Sequence, residues 1–423
     1  MNNSRRNFLS TGAAAALAPY AFSTHTEQTI RVGVIGCGGR GTGAIRNSLA
    51  ASPMVRIVAL GDVFEERAQS TAAKLVNESR STVTPETTFS GFDAFKKVLS
   101  TDVDMVILAT PPHFRPQHFA AAVRAGKHVF MEKPVAVDAP GVRVVIEAAA
   151  QAKDKNLSVV SGTQRRHQQP YLEAMSQLRD GRIGDVRSAS CWWNQGFLWR
   201  VDRTATMTDT EWQMRNWLYF TWLSGDHIVE QHIHNLDVGC WAKNAYPVKC
   251  NGMGGREMRM GGDASKSQIF DHTFCEYTFA DGTKMYSQGR HLSGGWNSVG
   301  ESLHGTLGTA TPSGKIEGKT NWRFKGKRLG GHQQEQRDLI AALTRGDIYN
   351  EGRYGAMSTF CAILGREACY SGKELRWDDL LERGRELAPG IDTYTMDSVP
   401  PAVKDADGLY PVPRPGKYNP FAS

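Results

Sequence analysis

The chain has 423 residues, 40% hydrophobic and 22% charged, which is long enough for two separately cored domains and too apolar for a disordered polymer. Its formal charge is +7, yet the lysines and arginines are scattered and no dense basic run is interleaved with aromatics, which argues against a nucleic-acid partner. Seven cysteines stand far apart with no C-x-x-C pair, which argues against a zinc ribbon or a disulfide scaffold, and the odd count leaves at least one thiol unpaired within the chain.

At the N-terminus, Ser4-Arg5-Arg6-Asn7-Phe8-Leu9 precede an alanine-rich apolar run to about Ala18, with small residues around Ala16 and Ala18. The run is too short to span a bilayer. It resembles a twin-arginine export signal, with an amphipathic helix as the alternative. The resemblance implies export in the folded state to the periplasm or beyond. No other stretch approaches 18 apolar residues, so no membrane association is expected after export.

Beyond a polar linker, the apolar, β-branched run over residues 30–35 predicts a buried strand. Helix 42–51, strand 55–60, helices 65–76 and 91–99, strand 104–109, helix 116–125 and strand 128–131 follow. Strands alternating with helices of this length indicate βαβ units and a doubly wound parallel sheet, a Rossmann domain over residues 30–160. Near residue 157 the rhythm changes. Helix 171–179, a strand near 186–193, a tryptophan-rich segment to about Leu223 and one helix over 228–241 come next. Strands 272–279 and 284–288, separated by glycine-rich turns, and helices 333–345 and 356–370 complete the pattern. Residues 161–385 are thus expected to form an α+β domain with a large, mainly antiparallel open sheet. Residues 1–29 are assigned to signal and linker. Residues 386–423, punctuated by proline and glycine, are expected as an extended surface tail.

Gly36-Cys37-Gly38-Gly39-Arg40-Gly41 is a G-x-G-x-x-G set between a strand and a helix, the context a dinucleotide loop requires. Gly36 permits the turn, Gly38 lets the backbone approach a pyrophosphate, and Gly41 lets helix and strand pack. Asp62, at the end of the second strand, is placed to accept hydrogen bonds from ribose hydroxyls and to repel a 2′-phosphate, which favours NAD over NADP. The alternative is a Rossmann-like sheet without cofactor, in which Asp62 is a cap.

Ala109-Thr110-Pro111-Pro112-His113 and the strand ending in Glu132-Lys133-Pro134 resemble the glucose–fructose oxidoreductase, inositol dehydrogenase and MocA family. The likeness continues through Gly162-Thr163-Gln164-Arg165-Arg166, the helix containing His234, Tyr370-Ser371-Gly372-Lys373 and Trp377-Asp378, and covers residues 30 to about 385. It implies hydride transfer between a nicotinamide cofactor and a sugar, polyol or related carbonyl compound, and a homodimer or homotetramer. It also implies cofactor contacts from Gly36, Gly38, Gly39, Arg40, Gly41, Asp62, Thr110, Pro111, His113, Glu132 and Lys133, and a catalytic group of Lys133 with a helix-borne carboxylate–histidine pair.

The chemistry supports these residues separately. Oxidising an alcohol needs a base for the hydroxyl proton and a donor beside the oxygen. Lys133 follows a strand's carboxyl end, where open α/β sheets place ligands. On a continuous helix Glu230, His234 and Asp237 share one face, so Glu230 is expected to bond His234 and fix its tautomer, with His234 the base. The sequence departs from the family pattern in having Glu230 where aspartate is expected and His232 where a small residue is common. His227, Glu230 and His234 also suggest a metal site, but no H-E-x-x-H string occurs and no metal is expected. His232, off that face, is expected to be packed. For substrate, six tryptophans between residues 192 and 222 offer faces to sugar rings. Arg166, His167, Trp199, His227 and Asn235 are the expected contacts.

Free nicotinamide nucleotide is not expected outside the cytoplasm, so an exported enzyme must keep its cofactor and pass hydride to a second substrate. Two alternatives are an NAD-dependent glycoside hydrolase working through a transient keto-sugar and a non-catalytic sugar-binding protein.

Overall fold

The computed structural model describes residues 29–257 and 266–421, and the expected export signal lies outside the described residues. Strands β1 (Ile30–Ile35), β2 (Val55–Asp62), β3 (Thr88–Ser90), β4 (Met105–Leu108), β5 (His128–Met131) and β6 (Val159–Ser161) form one sheet in the order β3-β2-β1-β4-β5-β6. Every neighbouring pair is parallel. Helices α1 (Gly39–Ala51), α2 (Glu65–Leu75), α3 (Ala94–Ser100), α4 (Arg115–Arg124) and α5 (Ala139–Asp154) connect them. Because helices cover both faces, the central strands are continuous apolar runs, and Val32, Val34, Ile57, Val106, Ile107 and Val129 are fully buried. Connections leave β1 in opposite directions towards β2 and β4, which opens a crevice at the strands' carboxyl ends. The predicted strands and helices of this half are present; β3 and α5 were not visible in the pattern.

The second half contributes α6 (Gln169–Arg179), β7 (Val186–Gln195), α7 (Asp209–Arg215), α8 (Thr221–Ser224), α9 (His227–Glu230), α10 (Ile233–Lys243), β8 (Lys249–Gly255), β9 (His272–Thr278) and β10 (Lys284–His291). These are followed by β11 (Ser298–Gly305), β12 (Gly308–Thr311), β13 (Lys315–Gly318), β14 (Trp322–Arg323), α11 (Gly331–Arg345), α12 (Gly352–Ser371), β15 (Leu375–Arg376) and α13 (Trp377–Arg383). Nine strands pair in the order β14-β13-β12-β11-β7-β10-β9-β8-β15, antiparallel except for β7 with β10. The expected mainly antiparallel sheet is therefore present. One face of it packs on α10 and α12; β9 accordingly alternates between buried and open positions.

The tail runs mostly over the surface, anchored at a few buried residues. It has little regular structure, but Ala388, Ala402 and Tyr410 are buried in one cluster with Trp212, Phe220 and Trp222. Tyr410 stacks on Trp212 with ring centroids 6.2 Å apart and meets Phe220 edge-on at 5.1 Å. Two of the six clustered tryptophans are thus core, because aromatic burial outweighs the tail's lack of backbone ladder.

Candidate active site

The glycine loop turns where the sheet opens. Gly36 has φ +99, and a Cβ on it would lie 2.5 Å from the carbonyl carbon of Ala109. A Cβ on Gly41 would lie 1.8 Å from the Gly36 carbonyl oxygen, so helix and loop close on each other only without a side chain. Gly38 and Gly39 differ: a Cβ there meets nothing within 4 Å. Their backbone faces a cavity of about 910 Å³, also lined by Gly36, Arg40, Asp62, Thr110 and Pro111. No side chain caps α1 at Gly38, so its first amides remain available to an anion. Asp62 is buried at the end of β2, which pushes its pKa up, while Cys37 N donates to one carboxylate oxygen at 2.7 Å and Phe64 N to the other at 2.9 Å. Each oxygen keeps a lone pair for a ribose hydroxyl. A bare loop, free helix amides and an acid at this spacing fit a dinucleotide.

Four expected cofactor residues, Gly41, His113, Glu132 and Lys133, do not line this cavity. Gly41 sits behind the loop as a packing position. His113 is turned away and hydrogen-bonded through Nδ1 to the Trp222 carbonyl, because the short turn Pro112–Phe114 buries its ring against the second domain. Glu132 holds Arg40: it accepts from Arg40 Nε at 3.0 Å and pairs with Nη2. His332 Nδ1 lies 3.3 Å and Glu335 3.9 Å from the same guanidinium, two residues of α11 that no local motif marked. Burial and the repulsion of Glu132 push Glu335 up to about 7.

Lys133 ends β5's motif beside α9. Its Nζ donates to the Glu230 carboxylate at 2.8 Å and to the Glu230 carbonyl at 2.5 Å, both side chains being 12% exposed. The expected Glu230–His234 bond is absent, because the single helix predicted here is two. His232 N donates to the His227 carbonyl, five residues back, and this wide turn rotates α10 relative to α9. Glu230 consequently serves Lys133. His234 stacks on Trp193 with ring centroids 5.9 Å apart, and its buried Nδ1 has no protein partner. Burial, then the positive charge of Lys133 and Arg165, holds its pKa well below the ordinary histidine value. A neutral imidazole with an open nitrogen therefore lies within the electrostatic reach of the lysine. His232 is packed as expected, 2.8 Å from Ser287 Oγ.

Several of the expected substrate contacts also hold protein partners. Arg166 forks onto Asp237 through Nε and Nη2, with three contacts of 2.8–3.0 Å, and lies 4.0 Å from the Tyr354 ring centroid. Asn235 donates to Glu301 at 2.9 Å and to the Gly300 carbonyl at 3.0 Å. His227 is buried and stacked on His291 at 5.1 Å. Trp199 lines the nucleotide cavity, which none of Lys133, Glu230 and His234 lines. His167 bonds Asp338 at 2.6 Å and lies 3.4 Å from Glu351.

Burial opposes a charge on His167, yet the Asp338 bond and Glu351 carry its pKa up to about 10. The folded value lies above the ordinary value of about 6.5, so its stabilisation is complete below that pH and is lost as pH climbs through the folded value. The denaturation midpoint should therefore fall on the alkaline side of neutrality, and His167→Gln should lack that component. Identical slopes in the two proteins would remove His167 from the account.

Residues 30–161 match the family model described as an oxidoreductase family with an NAD-binding Rossmann fold, GFO_IDH_MocA. The matched stretch takes in the first sheet from β1 to β6. Inositol 2-dehydrogenase 2 of Saccharopolyspora erythraea is 31% identical over 207 residues, 49% of this chain and 57% of the relative. A glycosyl hydrolase family 109 protein of Streptomyces coelicolor is 31% identical over 166 residues, 39% of this chain and 34% of the relative. The chain thus spans between a third and three-fifths of the length of these curated relatives. Scyllo-inositol dehydrogenase from Lactobacillus casei, solved with NAD(H) and scyllo-inositol, superposes with a TM-score of 0.64 at 18% identity, covering 83% of this chain and 100% of that one. The shared fold therefore extends through the second sheet.

Proposed function

We propose that the chain is an NAD-dependent oxidoreductase of sugars or polyols that keeps its nucleotide through turnover. The observation that carries this is one cleft edge holding a bare glycine loop with Asp62, and the same sheet's carboxyl end holding Lys133 with Glu230. The family match over residues 30–161 and the inositol dehydrogenase relatives support it. NAD held by the glycine loop and Asp62 would supply the hydride acceptor for alcohol oxidation. The hydroxyl proton passes to neutral His234, and the Lys133 ammonium, steadied by Glu230, donates to the oxygen as negative charge grows there. The cations around His234 keep that proton from being stored on it.

Arg5 and Arg6 favour export of the folded protein to the periplasm or beyond. All seven cysteines are buried free thiols, as suits a chain that folds before it meets an oxidising compartment. Exposed Met253 and Phe274 on the open sheet face favour pairing of subunits into a dimer or tetramer. Protein from the periplasmic fraction is expected to release one equivalent of NAD on denaturation, identified by mass spectrometry, and to reduce it when offered sugars or polyols. Nucleotide-free protein that turns over with added NAD would end the retention claim; no reduction with any such compound would end the activity claim. The likeness to the hydrolase favours one second reading, glycoside cleavage through a transient keto-sugar, which releases aglycone with no net reduction of NAD.

A further inference from the structure

The chain between β7 and α9 crosses from the second domain to the nucleotide cavity, where Trp199, Met214 and Trp217 form part of the lining. Trp199 and Trp217 lie together, ring centroids 5.6 Å apart at 55°. Their pairing is fixed by the backbone: Val201 N donates to Asn216 Oδ1 at 2.8 Å, and Asn216 Nδ2 returns a bond to the Val201 carbonyl at 3.0 Å.

Which end of a dinucleotide this wall meets follows from Arg215. Its guanidinium pairs with Glu66 of α2 at 2.7 Å and sits 4.0 Å from the Phe64 ring centroid. Asp62, Phe64 and α2 follow β2, the adenosine side of a Rossmann crevice. The segment is also braced from behind by the tail. Thr208 Oγ1 donates to the Met396 carbonyl at 2.6 Å, Thr210 Oγ1 to Ser398 at 2.5 Å and Gln213 Nε2 to Ala402 at 2.7 Å. Met214 is buried in the aromatic cluster beneath and Trp217 is half-buried against it, whereas Trp199 stays 45% exposed on the cavity side.

Resting on the NAD assignment above, we propose that Trp199 and Trp217, with Met214, form the adenine site and that this tail-braced wall is what retains the dinucleotide. Purine faces stack on indoles, and such contacts are worth roughly tenfold or more in affinity per base. The wall spans from the second domain to α2, where the Arg215–Glu66 ion pair ties it down.

Calorimetric titration of the full chain, stripped of nucleotide, with ADP-ribose and with NAD tests this. The double variant Trp199→Ala/Trp217→Ala should bind both at least about tenfold more weakly and lose its bound NAD on gel filtration. Trp199→Phe/Trp217→Phe, which keeps aromatic faces, should stay within about threefold. Circular dichroism of each variant guards against misfolding. A folded alanine double variant that binds ADP-ribose as the parent does overturns the proposal while leaving the NAD assignment intact. A parent chain that binds neither ligand overturns that assignment instead.

Discussion

Replacing Lys133 with methionine is expected to slow carbohydrate oxidation by about a thousandfold or more, with ADP-ribose affinity within about threefold of the parent. The ammonium stands just past the carboxyl end of β5, where a substrate oxygen is proposed to bind, and its two bonds to Glu230 fix where it points. A positioned donor that meets charge as it develops supplies about two to three orders of magnitude, and a proton-transfer role adds to that. Methionine preserves the stem's volume but leaves the Glu230 carboxylate, only 12% exposed, without its cation. Part of any loss then comes from a displaced α9, which the companion Lys133→Met/Glu230→Gln separates: it removes the orphaned charge and should stay as slow. Single-turnover reduction of the bound nicotinamide, followed by absorbance, is the readout. A methionine variant retaining a tenth of the parent rate would sink the catalytic assignment of Lys133.

The nucleotide half of the molecule was legible because its determinants are local. Apolar β-branched runs, a glycine loop between strand and helix, and an acid at the second strand's end each act over a few residues, and the structure joins them at one cavity. The other half depends on contacts distant in sequence. β11 pairs with β7 about a hundred residues earlier, and its sequence, SVGESLHG, carries neither strong alternation nor β-branched density. The tail's burial likewise rests on Tyr410 meeting Trp212, which no pattern around residue 410 announces. At the site, helical spacing put Glu230 beside His234, a correct deduction from a continuous helix. The wide turn at His232 broke that premise, and the carboxylate took the stronger partner, a lysine some hundred residues away. The protein partners of Arg166 and Asn235, Asp237 and Glu301, were out of reach of the sequence for the same reason of distance.

Gly38 and Gly41 permit a sharper experiment than removal of a side chain, since they differ in what a side chain would strike. Gly38→Val is expected to fold normally and to lose dinucleotide affinity by about a hundredfold, roughly 3 kcal/mol at 25 °C. Gly38 has φ −73 and ψ −167, a backbone that any residue adopts, and an added Cβ meets no protein atom within 4 Å. The valine methyls instead enter the cavity where the loop amides of α1 would meet a pyrophosphate, so the damage falls on the ligand alone. Gly41→Ala is the contrast. Its Cβ would lie 1.8 Å from the Gly36 carbonyl oxygen, so loop and helix must part, and both nucleotide binding and the denaturation midpoint should drop. Nucleotide stoichiometry after gel filtration, set beside urea unfolding of the nucleotide-free proteins, separates the two. Stoichiometric NAD on a folded Gly38→Val chain would mean that the pyrophosphate does not lie against this loop, and the cofactor would have to be placed elsewhere in the cleft.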